Sequence, residues 1–394
     1  MRVLIVQYAG DYLAAHRESQ RSGRETYYGH RYVLEQLAVL RAECEALEPG
    51  SEIAILCCLS GEVYDERLPS GVRVLGADTD PNADAASILR VVDEFRPTHV
   101  VVTGPMLAIL RGVLRRRVRR LVLLADSFNR RGVRGFAKRW LVARILRDKR
   151  IEWIGNHGLN ASRALAQVGV EAARAIPWDW PHVRRPDDRP ARALDTDRPF
   201  TLLYVGVVIE AKGVGDVIEA IGMLRAEGLD VRLRVIGAGE LDRFGAIARA
   251  HGVESSIDFV GLVTNDVVFE EMSSASIVVV PSRPEYPEGL PLTIYEALCA
   301  RTPIVASDHP MFAGHLVDGD SALVYPAGEP VELAARVRRL REDAQLYARL
   351  SDRASETWAR MQIDTKWGEL VRRWVRNDDD DRAWLQARSL EHYL

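Results

Sequence analysis

Two glutamates, one lysine and a glycine-bearing loop are the residues of this 394-residue chain whose types and spacing best suit chemistry. Glu288 and Glu296 bracket Gly289-Leu290-Pro291-Leu292-Thr293-Ile294-Tyr295, just after the apolar run Val278-Val279-Val280-Pro281. A strand ending in a loop that feeds a helix over Leu292 to Ala300 is the predicted arrangement. Pro291 is expected at the first helical position, where its missing donor is no loss, and Gly289 lets backbone approach a ligand closely. Free amides and the positive helix end favour a phosphate there. At a rise of ~1.5 Å per residue Glu296 lies about 8 Å along the helix from Pro291, so the two carboxylates address opposite ends of one ligand. A nucleotide sugar has that form, with a diphosphate in the middle and hydroxyls needing acceptors at both ends. The same spacing also arises by chance on surface helices.

Lys212 precedes Gly213 in a turn that follows the run Thr201 to Val205 and begins Gly206-Val207-Val208. A lysine there reaches a phosphate as a flexible point charge. The alternative is a solvent-facing lysine at a helix start, where a cation is mildly unfavourable, and that oddity favours a bound anion. Gly237-Ala238-Gly239 and Phe259-Val260-Gly261-Leu262 close the next two apolar runs. They either floor a base pocket or are only turns.

The elements that must hold these residues alternate in type. Strands are expected at Val3 to Gln7, Ile53 to Cys58, Val72 to Leu75, His99 to Thr103, Leu121 to Ala125 and Glu152 to Gly155. A second series follows at Thr201 to Val205, Arg232 to Ile236, Ile257 to Val260, Ile277 to Pro281 and Pro303 to Ala306. Helical periodicity separates them at Tyr32 to Leu47, Ala85 to Phe95 and Gly135 to Lys149, which is the alternation of parallel α/β units. The Pro-rich, charged stretch 184–198 interrupts the pattern and reads as a linker. The division is therefore an N-terminal domain over 1–183, a C-terminal domain over 199–358 and terminal helices over 359–394. In the last segment Trp367, Leu370, Val371, Trp374 and Val375 share one face and need a partner surface. The acidic run Asp378 to Asp381 reads as a solvated turn, since consecutive carboxylates splay apart.

Composition excludes several classes. With 47% hydrophobic and 28% charged residues the chain is globular, and no apolar run approaches the roughly 20 residues of a membrane span. Four irregularly spaced cysteines fit neither a disulfide framework nor a zinc site, so a reducing cytoplasm is expected.

Taken together, residues 200 to 345 resemble the donor-binding half of glycosyltransferase family 4. The likeness is carried by Pro281-Ser282, by Glu288 to Glu296 with Gly289-Leu290-Pro291 between, by Lys212-Gly213 and by the order of the glycine turns. It implies an α/β protein of GT-B fold, with two Rossmann-like doubly wound domains facing each other across a cleft and the terminal helix returning to the first. It also implies sugar transfer from a nucleotide diphosphate donor with retention of configuration, without cofactor or bound metal. On that likeness Glu288 contacts hydroxyls of the transferred sugar, Gly289 and Leu290 offer amides to the diphosphate, Glu296 holds the ribose and Lys212 neutralises the leaving group. Gly206, Gly237, Leu262 and Pro291 complete the donor site, with Gly29 reaching it from the first domain. Two positions depart from the pattern. Val207 stands where the family usually has an arginine, and Tyr28-Gly29 replaces a glycine pair. Val207 keeps a second reading open, a GT-B nucleotide-sugar-binding partner of little or no turnover.

On the acceptor side, Gln7 to Tyr28 reads as a long loop carrying Tyr12, His16, Arg24 and Tyr27, and His157 is a further candidate. Residues 111–150 hold 15 Lys/Arg against Asp126 and Asp148. That excess fits either a solvated arginine face or peripheral contact with anionic lipid at the inner membrane face. Nucleic acid is not expected, because no aromatic residues interleave with the basic ones in a recognisable module.

Overall fold

The computed structural model describes residues 1–22, 25, 28–128 and 132–394, and of residues 22, 28 and 132–138 the backbone only. Arg24 and Tyr27, expected on the acceptor side, lie outside the described residues, as do the side chains of Tyr28 and Phe136. The chain divides into two units, one of Met1–Pro181 with Ile363–Leu394 and one of His182–Gln362.

The first unit is built on β1 (Arg2–Ala9), β2 (Glu52–Leu59), β3 (Val63–Arg67), β4 (Arg73–Ala77), β5 (His99–Thr103), β6 (Arg119–Leu124), β7 (Trp153–His157) and β8 (Ala175–Trp178). They lie in the order β3-β4-β2-β1-β5-β6-β7-β8, parallel except for β3 against β4. Strands such as β1, whose Val3, Leu4, Ile5 and Val6 are all buried, are covered on both faces, as a parallel sheet requires. One face packs Ile88, Val92 and Phe95. The other packs Leu37 and Leu40 together with Trp367, Leu370, Val371, Trp374 and Val375, the single face of the helix Trp367–Arg376.

The second unit holds β9 (Phe200–Val205), β10 (Val231–Ile236), β11 (Ile257–Gly261), β12 (Ile277–Val280), β13 (Ile304–Ser307) and β14 (Leu323–Tyr325), in the order β11-β10-β9-β12-β13-β14 and parallel where paired. In each sheet the strand order reverses at the first strand of the unit, β1 or β9. Doubly wound sheets bind ligands outside the carboxyl ends at that point.

Several expectations need correction. The stretch Gln7 to Tyr28 is not one loop: Tyr12–Ser22 is helical, and Asp11 starts it by accepting from Ala14 N at 2.9 Å. Residues 184–198 are fixed to the second unit, with Arg192 donating to Ala275 O at 2.9 Å and Arg301 to Pro186 O at 2.8 Å. The acidic run is not wholly solvated. Asp378 caps the helix Asp379–Ala387, and Asp381 is buried against Arg376 at 2.7 Å and Arg373 at 3.1 Å. In the basic stretch Arg116, Arg119, Lys149 and Arg150 are ion-paired, so its excess charge is partly neutralised. Trp140, within the helix expected over Gly135 to Lys149, is about half exposed. Among the described residues no helix is long and apolar enough to cross a membrane.

Candidate active site

The residues expected to do chemistry in the second unit meet at the carboxyl ends of β9 and β12. After β9 the chain makes a short 3₁₀ turn, Glu210–Lys212, then enters the helix Val214–Ala226 through Gly213 at φ 74°. Only glycine fits, because a Cβ there would stand 2.2 Å from Pro281 O. That close approach seats Lys212 beside the loop after β12. Lys212 Nζ bonds both oxygens of Glu288, at 2.7 and 2.8 Å, and lies 4.4 Å from the centre of the Tyr286 ring. The pair is well buried, with side chains 14% and 6% exposed. Ser282 Oγ approaches Glu288 at 3.4 Å.

The loop then passes Gly289 and Leu290 into the helix Leu292–Cys299, which has no side-chain cap. Pro291 is its N-cap in extended conformation, one position earlier than expected. Ile294 N donates to Pro291 O at 3.0 Å, and the N–H groups of Leu292 and Thr293, ahead of that first helical bond, can receive an anion. One turn on, Glu296 is half-buried. Burial pushes its carboxyl up to about 7, against the opposing pull of Arg184 and Asn265.

The glycine turns have a structural cause. A Cβ on Gly237 would lie 1.8 Å from Gly206 O, so the turns after β9 and β10 can touch only as glycines. Val207 and Leu262, at the ends of β9 and β11, are left exposed, 48% and 70%.

Four further residues, unmarked by any spacing along the chain, shape the site. Tyr286 faces Lys212. Buried His309 accepts from Met311 N at Nδ1, so its Nε2 carries the hydrogen and donates to Tyr286 O at 3.2 Å, and burial lowers its pKa. Tyr204 fixes the turn at Val207 by donating to its carbonyl at 2.6 Å. Arg283, in the loop itself, is held by Asp216 at 2.5 Å and Glu210 at 2.9 Å, so it is no free replacement for the cation missing at Val207. Its sequence signal was its place in the same segment, but its carboxylate partners lie about 70 residues away, beyond any local pattern.

In the first unit the acceptor-side candidates do not form one cluster. Tyr12 is buried, edge-on to His30 at 4.7 Å, and lines a cavity of about 340 Å³. His16 lines a different one. His157, at the end of β7, is buried with Nε2 2.9 Å from Asp179 Oδ1, a structural contact. Gly29 is buried in the first turn of the helix Tyr28–Leu47.

Comparison with known proteins agrees with this geometry. The family described as glycosyl transferases group 1 matches residues 185–357. Alpha-D-kanosaminyltransferase of Streptomyces kanamyceticus is 32% identical over 176 residues, 44% of this chain and 44% of that protein. The phosphatidyl-myo-inositol mannosyltransferase of Mycolicibacterium smegmatis is 31% identical over 157 residues, 40% of each. The matched part thus spans less than half the length of these curated relatives. Sucrose-phosphate synthase of Thermosynechococcus elongatus superposes with a TM-score of 0.69 at 14% identity, covering 96% of this chain and 100% of that one. WaaG, a glycosyltransferase involved in lipopolysaccharide biosynthesis, gives 0.64 at 16% identity over 92% and 96%. Anabaena HepE, in complex with UDP and glucose, gives 0.63 at 14% over 96% and 98%. These likenesses show the GT-B fold.

Proposed function

We propose that this chain, whose residues 185–357 match the model of glycosyl transferases group 1, is a retaining, metal-independent glycosyltransferase using a nucleotide diphosphate sugar. The observation that carries the reading is the buried Lys212–Glu288 pair set at the opening of an uncapped helix. The donor diphosphate takes the amides of Gly289, Leu290 and the first helical turn, and replaces Glu288 as the partner of Lys212. Glu288, released, accepts from hydroxyls of the transferred sugar, while Glu296 accepts from the ribose. Gly206, Gly237 and Leu262 bound the base end. The bond from the anomeric carbon to the diphosphate oxygen breaks, and the acceptor oxygen bonds to that carbon on the same face. The acceptor proton passes to a donor phosphate oxygen. Charge stabilisation of the leaving diphosphate by Lys212 and the helix amides is then the main protein contribution.

Thermal-shift measurements with UDP, GDP, ADP and dTDP identify the base, and NMR of the product anomer tests retention. An inverted anomer overturns the mechanism, and no stabilisation by any of the four overturns the donor class.

A further inference from the structure

The cavity of about 340 Å³ in the first unit is built unlike the Lys212–Glu288 site. It is lined by Gln7 and Ala9 at the end of β1, Gly10, Tyr12, His30 and Val33 at the following helices, Thr103 at the end of β5, and Trp178, Trp180 and Trp367. Gln7 and Thr103 are register partners across β1 and β5, so the cavity opens at the point where the strand order reverses. Doubly wound sheets receive ligands at that place.

Three properties define what fits. None of the described lining residues carries an acidic or strongly basic side chain, and burial lowers the pKa of His30, despite Asp11, which favours neutral imidazole. The walls are aromatic. Trp178 meets Trp180 edge-on at 5.1 Å, and Trp180 stacks on Trp367 at 6.4 Å. Hydrogen-bonding capacity is also left over. Among the described residues Thr103 Oγ1 and Trp178 Nε1 are buried without a partner, although Trp178 is only 3% exposed. A native interior rarely tolerates two such atoms beside one cavity unless something bonds them. The space for Trp178 is itself made by sequence: a Cβ on Gly155 of β7 would come within 2.8 Å of its Cδ1.

We infer that this cavity binds an uncharged polyhydroxylated ring, a monosaccharide or cyclitol, as the acceptor of the transfer. Aromatic walls take the C–H faces of such a ring, while Thr103, Gln7 and the Trp178 N–H take its hydroxyls. A phosphorylated acceptor group is disfavoured, because among the described residues no lining cation repays the cost of desolvating its charge. The volume is at the low end of the range for ligand pockets, about 300–1,000 Å³, which suits a single ring. The role of acceptor rests on the glycosyltransferase reading, but the binding does not.

Three tryptophans in the lining make intrinsic fluorescence the readout. Methyl glucoside, methyl galactoside, methyl mannoside and myo-inositol are titrated into the full chain without donor, beside glucose 6-phosphate and inositol 1-phosphate. At least one neutral ring is expected to bind with Kd on the order of 1 mM, and its phosphorylated counterpart to bind more weakly. Thr103→Val removes one hydrogen-bonding atom and nearly preserves shape, while Trp178→Phe removes the indole N–H together with the five-membered part of the ring but keeps an aromatic wall. Each is expected to weaken ring binding roughly tenfold while leaving the nucleotide thermal shift unchanged. No response to any neutral ring up to about 50 mM, tighter binding of a phosphorylated ring, or unchanged affinity in both variants overturns the inference. Ring binding without any nucleotide shift leaves the cavity standing and removes the transferase reading. A nucleotide shift without ring binding does the reverse.

Discussion

The two strand-order reversals of this molecule share an architecture and differ in chemistry. At β9 in the second unit the side chains are charged and already satisfied by each other, with Lys212 on both oxygens of Glu288. At β1 in the first unit the described lining is uncharged and aromatic, and hydrogen-bonding atoms among it are left unmet. The sheet decides where a ligand sits, and the loop residues decide what it is. On the proposed function, a diphosphate entering the first of these places breaks the Lys212–Glu288 pair, so its binding would be an exchange of partners. On the inference above, a neutral ring entering the other would complete bonds that no described residue makes.

The largest expected effect comes from the charged region. Glu288→Gln keeps the shape but removes the charge that Lys212 holds, and turnover of a nucleotide sugar should fall about 100-fold or more, roughly 3 kcal/mol. Retained turnover with an unchanged melting profile would place the reacting centre elsewhere and dissolve the contrast. Gly237→Ala comes next. With a Cβ driven onto Gly206 O, the second unit should lose about 2–4 kcal/mol, read as a lower urea midpoint, whereas ring binding at β1 should persist wherever the chain remains folded. Val207→Arg adds a cation to an exposed position at the end of β9. It should tighten nucleotide-sugar affinity several-fold in calorimetry, about 1 kcal/mol, without altering ring binding.

The smallest effect is in pH. The Glu296 carboxyl, raised from its ordinary 4.5 to about 7 by burial, is protonated in the folded protein over a range where the unfolded chain is ionised. Its contribution to stability is therefore full below pH 4.5 and lost as pH rises through about 7. Acceptance from a ribose hydroxyl follows the opposite course, so nucleotide-sugar affinity should rise between about pH 6 and 8 and become flat in Glu296→Gln. A flat profile in the unaltered protein would remove Glu296 from the ribose.

Much of this architecture is legible in the residues alone. Buried parallel strands are apolar along their whole length, so β1, β2, β5, β9 and β12 stand out as runs. The strands that do not stand out lack that signal. β3 is Val-Tyr-Asp-Glu-Arg on a half-solvated edge, β8 carries Pro177, and β14 has three residues. In the site, Glu288, Glu296 and Lys212 are visible because spacing along one chain is itself geometric information. That Lys212 and Glu288 pair with each other is not, since 76 residues separate them and only the approach of Gly213 to Pro281 brings them together. The cavity at β1 is hidden more completely. Its tryptophans come from 178, 180 and 367, two of them at and just beyond β8, which no apolar run announces, and one on a helix face.

The boundary of the first unit has a practical consequence. Asp179 N donates to Thr365 O at 2.9 Å and Trp367 N to Asp179 O at 3.2 Å, so the chain leaves that unit beside the place where it returns. His182–Gln362 is in topological terms an insertion into a continuous domain. Because the two segments run parallel at Asp179 and Lys366, rejoining Pro181 to Ile363 requires a loop that spans about five extended residues, on the order of 16 Å. A flexible linker of that reach would give a deletion protein that carries the aromatic cavity alone, suited to crystallisation with candidate rings.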